Sequence, residues 1–164
     1  MDKLNISIAF YGAPKGDWRE FYEDAKKVFE TAGQEYNYVG TTLMDQMRTV
    51  KRTEKRVYRE LENNQVEDIT MQSLVKGFVQ AYFDYELTIL RGDDLLQLTF
   101  NASDYPKIDE DAVISTFSKY VTDPKIEIFE LNRLECPSLY ASKVNSEEYY
   151  PSLYPSLKVR RLIE

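Results

Sequence analysis

Residues 82–100 alternate apolar and polar side chains on both sides of a turn cluster, and this pattern restricts the fold more than any other stretch. At period two, Phe83, Tyr85, Leu87 and Ile89 share one face, and Asp84, Glu86 and Thr88 share the other. Leu96, Leu98 and Phe100 resume the apolar row, with Gln97, Thr99 and Asn101 as its polar complement. Between the two rows, Arg91-Gly92-Asp93-Asp94 has the length and residue types of a hairpin loop. Pairing Ile89 with Leu96, Leu87 with Leu98 and Tyr85 with Phe100 puts both apolar rows on one side. A slip of one residue would turn one row into water, so the register is specified. The stretch predicts a central β-hairpin over about 82–100 with one buried face and one wet face.

The flanking sequence extends this into an α+β fold. Leu4, Ile6, Ile8 and Phe10 alternate with Asn5, Ser7 and Ala9, as expected of a strand with one face on a core. Asp17 then opens a helix, with Glu20 at capping-box spacing. Trp18, Phe21, Tyr22, Ala25, Val28, Phe29 and Ala32 form its apolar stripe, and Gly33 suits its C-terminus. A short strand is expected at Tyr36–Tyr38, closed by Gly40, and a surface helix from about Thr42 to Asn63. Ile69 and Met71 suggest another strand, so three consecutive antiparallel strands are expected. Asp109–Tyr120 reads as a helix with an acidic first turn, and Ile126–Leu131 as the next strand. The expected fold class is α+β: a single antiparallel-dominated sheet with two or three helices packed on one face. Residues 1–135 form its globular domain, and 136–164 a Pro/Tyr-rich segment packed on the same domain.

In that segment Cys136-Pro137-Ser138-Leu139-Tyr140 is echoed by Tyr150-Pro151-Ser152-Leu153 and Tyr154-Pro155-Ser156-Leu157. Repeated proline favours extended or turn conformations. The Leu and Tyr side chains either pack on the body or are offered to a partner as an aromatic segment. Leu157–Ile163 can close the chain as an edge strand.

The 164 residues contain no histidine and one cysteine, Cys136, which removes Ser-His-Asp and Cys-His nucleophile systems and Cys/His zinc sites. No Gly-rich phosphate loop of the P-loop or dinucleotide-binding pattern is present. Gly12-Ala13-Pro14-Lys15-Gly16 sits between strand and helix, but Pro14 removes an amide that a phosphate cradle would use. Asp84 and Glu86 could serve as an acid/base pair on a strand face. Asp93 with Asp94, or Asp109, Glu110 and Asp111, could face a hard cation, yet neither set has calcium-loop spacing. No cofactor and no metal are expected. A single cysteine, no long apolar run and no basic-then-hydrophobic leader point to the cytoplasm and away from a membrane.

Charge is uneven. Arg48, Lys51, Arg52, Lys55, Arg56 and Arg59 face Glu54 alone over residues 48–59. That window carries +5 of a total of −7, so the remainder carries −12. As one helix it would align a cationic ridge able to follow a phosphate backbone, which opens a nucleic-acid or regulatory reading. The acidic remainder opposes nucleic acid and favours basic proteins, and 13 tyrosines supply contact-forming rings.

The Leu4–Phe10 strand, the Trp18 helix after it, the Asp84/Glu86 hairpin, one cysteine and no catalytic set together resemble the small acidic α+β immunity proteins of bacterial polymorphic toxins. The resemblance implies stoichiometric neutralisation of a toxin with a basic surface rather than catalysis. Candidate contacts are Asp84, Glu86, Asp93 and Asp94 on the hairpin, with Tyr149, Tyr150 and Tyr154 in the tail. The alternative readings are the basic segment 48–59 as a binding module, or a carboxylate-dependent enzyme.

Overall fold

The computed structural model describes residues 3–43, 46–49, 54–62, 66–75, 85–145 and 153–164. Among the described residues eight strands run β1 (Leu4–Tyr11), β2 (Tyr38–Leu43), β3 (Gln46–Thr49), β4 (Val66–Leu74), β5 (Tyr85–Arg91), β6 (Leu95–Asn101), β7 (Lys125–Asn132) and β8 (Lys158–Ile163). They form one antiparallel sheet in the order β3-β2-β4-β5-β6-β1-β7-β8. The helices are α1 (Trp18–Ala32), α2 (Glu54–Glu62), α3 (Glu110–Ser118) and α4 (Pro137–Asn145). The fold is α+β, as the alternation and the two helical stripes imply.

On one side of the sheet, Ile6, Ile8 and Phe10 of β1, Leu87 and Ile89 of β5, Leu96, Leu98 and Phe100 of β6, and Ile126 and Ile128 of β7 make an apolar floor. The stripe of α1 packs there with Val57 and Leu61 of α2 and Val113 and Phe117 of α3. Helix α1 starts where Asp17 accepts the Arg19 N–H. It stops at Gly33 (φ 71°), where the Gly33 and Gln34 amides donate back to Glu30 and Phe29. Asp109 caps α3 by accepting the Ala112 N–H.

The central hairpin forms with its register two residues from the expected one. Ile89 faces Leu98, Leu87 faces Phe100 and Arg91 faces Leu96. Arg91 belongs to the strand, and the turn tightens to Gly92–Asp94, closed by the Gly92 amide on the Leu95 carbonyl. An even-numbered shift keeps the same side chains on the same face. Tyr85 lies beyond a register irregularity opposite Leu74, in a small cluster with Tyr38.

Three further expectations are corrected. The polar side of the hairpin is not wet: Gln97 and Thr99 are fully buried, because α4 and Tyr154 cover the second face around β1, β6 and β7. The segment 42–63 is not one helix. Threonines 41 and 42 stay in β2, β3 pairs back on it, and α2 begins only at Glu54. Arg48 therefore lies in a strand, Lys51 and Arg52 fall outside the described residues, and the cationic row from 48 to 59 is broken. Last, Pro137 starts a helix instead of breaking one, since a first-turn proline gives up an amide that has no helical partner. Residues 158–163 do form the edge strand, paired to β7 in the same sheet.

Candidate functional site

Three loops meet at one end of the sheet, and backbone hydrogen bonds join them. The Gly12 amide after β1 donates to the Asp94 carbonyl at the hairpin tip, 3.1 Å away. The Thr122 amide before β7 donates to Ala13 at 2.8 Å, and the Lys15 amide to Tyr120 at 2.9 Å. Gly12 is required here: its φ is 149°, and a Cβ would lie 2.6 Å from the Thr122 carbonyl oxygen.

Arg91 supports this platform from below. It is 2% exposed and its guanidinium carbon sits 4.2 Å from the Trp18 ring centre, with Phe21 and Tyr120 at 5.3 and 5.4 Å. One terminal nitrogen donates to the Lys15 and Gly16 carbonyls, so the loop is held onto the sheet. Burial lowers the Arg91 pKa to about 10, and the guanidinium stays charged at neutral pH. Its Nε and Nη1 have no hydrogen-bond partner among the described residues, and the guanidinium lies over the Trp18 ring.

This end exposes Asp17, Asp93, Asp94 and Asp123 beside the half-buried Trp18 that follows Asp17, together with Lys15 and with Arg19, Lys119 and Lys125, which pair with Glu62, Glu20 and Glu164. The aspartates left without those cations, on loops bonded to one another and next to an aromatic residue, suit a basic protein surface. Among the described residues no three acidic, cysteine or histidine side chains are close enough to hold a metal ion.

The structure places the expected contact residues unevenly. Asp93 and Asp94 lie at the exposed tip and join Asp17 and Asp123, which local sequence reasoning did not bring together because only the sheet order does so. Glu86 is half-buried and tied down: it accepts a hydrogen bond from Asn101 and pairs with Lys3 at 3.4 Å. Its strand face is therefore not the open one expected. Tyr154 points inward, 5% exposed, with its ring 5.1 Å from Tyr140. Asp84, Tyr149 and Tyr150 lie outside the described residues.

A second polar constellation lies under α4 and beside it. Arg133, 2% exposed, donates to the side-chain oxygens of Asn101 (2.7 Å) and Asn5 (3.3 Å) and stacks on Tyr85. Ser7 and Thr99 share a hydrogen bond of 2.8 Å, and Gln97 reaches the Pro137 carbonyl at 3.1 Å. The Glu127 carboxylate accepts from Tyr11 at 3.0 Å and from Tyr140 at 3.1 Å. Most of these groups pair with one another, although the buried Gln97 Oε1 has no hydrogen-bond partner among the described residues, and the bonds from Gln97 to Pro137 and from Tyr140 to Glu127 hold α4 on the sheet.

No protein-family model matches the chain, and neither a curated protein nor a solved structure shows significant similarity to it. No helix among the described residues is long and apolar enough to cross a membrane.

Proposed function

We propose that the protein acts by stoichiometric binding of a basic protein surface, as an immunity protein does when it neutralises a bacterial toxin. The observation that carries this reading is the sheet end where the exposed Asp17, Asp93, Asp94 and Asp123 lie on or beside loops hydrogen-bonded to one another, with the half-buried Trp18 following Asp17. Opposite charge accelerates encounter, and a rigid rim loses little freedom on docking. An aromatic centre then supplies the apolar contact that charges alone do not give. The broken basic row removes the main support for a nucleic-acid reading.

The test is affinity capture from the native host under non-denaturing conditions, with mass spectrometry and a salt series. A one-to-one basic partner, released by salt and lost with the Asp93→Asn/Asp94→Asn double variant, is the expected result. Recovery of no stoichiometric partner, or of one indifferent to both salt and the variant, overturns the reading.

A further inference from the structure

Strand β8 closes the sheet at one edge, and among the described residues nothing pairs with its outer side. None of its six residues is buried, against seven of eight in β1 and six of seven in β6. Val159 and Leu162 face Phe129 and Glu127 of β7 and are still 47% and 49% exposed. Ile163, opposite Ile126, is half-buried against the main core. The ladder is also interrupted, because the register shifts between Ile128 and Phe129 and leaves Arg160 opposite no β7 residue.

Charge supplies what apolar burial does not. Lys158 and Arg160 reach Glu130 at 3.8 and 3.7 Å, and Arg161 reaches Glu110 and Asp111 of α3 at 3.1 and 2.9 Å. The Arg160 guanidinium carbon lies 5.5 Å from the centre of the Tyr105 ring. Glu164, just past the strand, pairs with Lys125 at 3.7 Å. The segment before β8 is held differently. Tyr154 is buried against Tyr140, and the Ser156 hydroxyl donates to Glu135 and accepts the Asn132 amide at 2.9 Å.

We infer that β8 is an electrostatically latched strap, which leaves β7 as one unit by pivoting at Leu157 while the rest of the sheet stays folded. A segment with little apolar burial and solvent-exposed ties opens at far lower cost than the centre of a sheet. Its ion pairs lie at the surface, so ionic strength sets how often the strap is open. Opening uncovers the Tyr105 ring and the outer hydrogen-bonding groups of β7, a strand in which Ile126, Ile128, Phe129 and Leu131 are buried. Three cations and an irregular ladder are what sheet edges use to resist pairing with other chains. The closed strap gives the sheet that kind of edge, and the open one removes it.

The test is native-state hydrogen exchange of the full chain, read amide by amide under conditions where the rate reports the opening equilibrium. The β8 amides bonded to β7 and the β7 amides bonded to β8 are expected to exchange together. After correction for intrinsic rates they should be at least about a hundredfold less protected than amides of the β1–β6 ladder. Raising sodium chloride from about 10 to about 500 mM should speed the first group about three- to ten-fold relative to the second. Arg161→Gln keeps a long polar side chain, removes both ties to α3, and should speed the first group about two- to five-fold at low salt. Lys27→Gln, on α1, changes net charge equally and should leave that group unchanged. Exchange of β8 only together with the β1–β6 ladder, equal salt dependence in both groups, or an Arg161→Gln effect matched by Lys27→Gln would each overturn the inference. None of these outcomes depends on the proposed partner.

Discussion

The two faces of the sheet are buried by different chemistry. Under α1, α2 and α3 the strands present Ile6, Ile8, Phe10, Leu98 and Phe100, and rings such as Phe21, Phe117 and Tyr120 pack edge to face above them. Under α4 the same strands present Asn5, Ser7, Gln97 and Thr99, joined by Arg133 and Glu127, and only a small cluster around Phe129, Tyr140 and Tyr154 is apolar. The first face draws its free energy from area removed from water and tolerates some rearrangement. The second gains little from burial and depends on each donor meeting its acceptor, so it fixes how α4 lies. The comparison teaches that an alternating strand is not a statement about solvent. It states only that two different partners cover the two faces.

The broadest test is alkaline pH, which acts on both faces at once. Burial, then the hydrogen bond to Glu110, raises the Tyr105 phenol above its usual 10, and burial, then Asp24, does the same for Tyr120. Burial alone outweighs Arg133 at Tyr85, beside the polar layer. A raised folded pKa means the stabilisation is complete below pH 10 and is lost as pH rises through the folded values. Arg91, whose pKa burial lowers to about 10, works in the opposite sense above that pH, against the three phenols together. Tyrosinate absorbance and circular dichroism should therefore change together above pH 10, with these phenols ionising only as the fold is lost. Early ionisation of all 13 tyrosines in a folded protein would contradict the burial described.

Phe100→Ala, at a fully buried position on the apolar face, should cost about 3–5 kcal/mol in urea unfolding. Tyr140→Phe keeps the ring beside Phe129 and deletes one donor to Glu127, and should cost about 1–2 kcal/mol. A loss near zero would mean that the polar layer is filler, and one equal to Phe100→Ala would erase the contrast between the faces. The smallest effect on stability is expected for Asp93→Asn with Asp94→Asn, within about 0.5 kcal/mol, because both are exposed. The same pair should slow association with a basic partner, which separates the platform from the scaffold beneath it.

Much of this architecture was legible in residue order. The helix at 18–32 follows from its stripe, its Asp17 cap and Gly33, and the hairpin follows from two runs that only one parity of pairing can bury. Other parts were not. The segment 42–63 has the apolar spacing of a surface helix, yet Thr41 and Thr42 continue a strand, a case where tertiary pairing decides between two weak local preferences. Pro137 reads as a breaker from its identity alone, whereas its position within a helix sets its effect. The burial of Gln97, Thr99 and Tyr154 depends on where α4 comes to rest, which no local pattern encodes. For the platform, Asp93 and Asp94 were visible as a turn. Their meeting with Asp17 and Asp123 required knowing that β1 lies between β6 and β7.

That central place of β1 sets the timing of folding during synthesis. Its two neighbours are residues 95–101 and 125–132, so the apolar side chains of Ile6, Ile8 and Phe10 leave the ribosome long before either flanking strand exists. Every bond in those two ladders closes a loop of more than eighty residues, a topology that folds slowly and leaves a sticky intermediate for as long as the chain is incomplete. The nascent protein therefore has a window in which its first strand is an open edge, and chaperone demand should end abruptly once residue 132 has emerged.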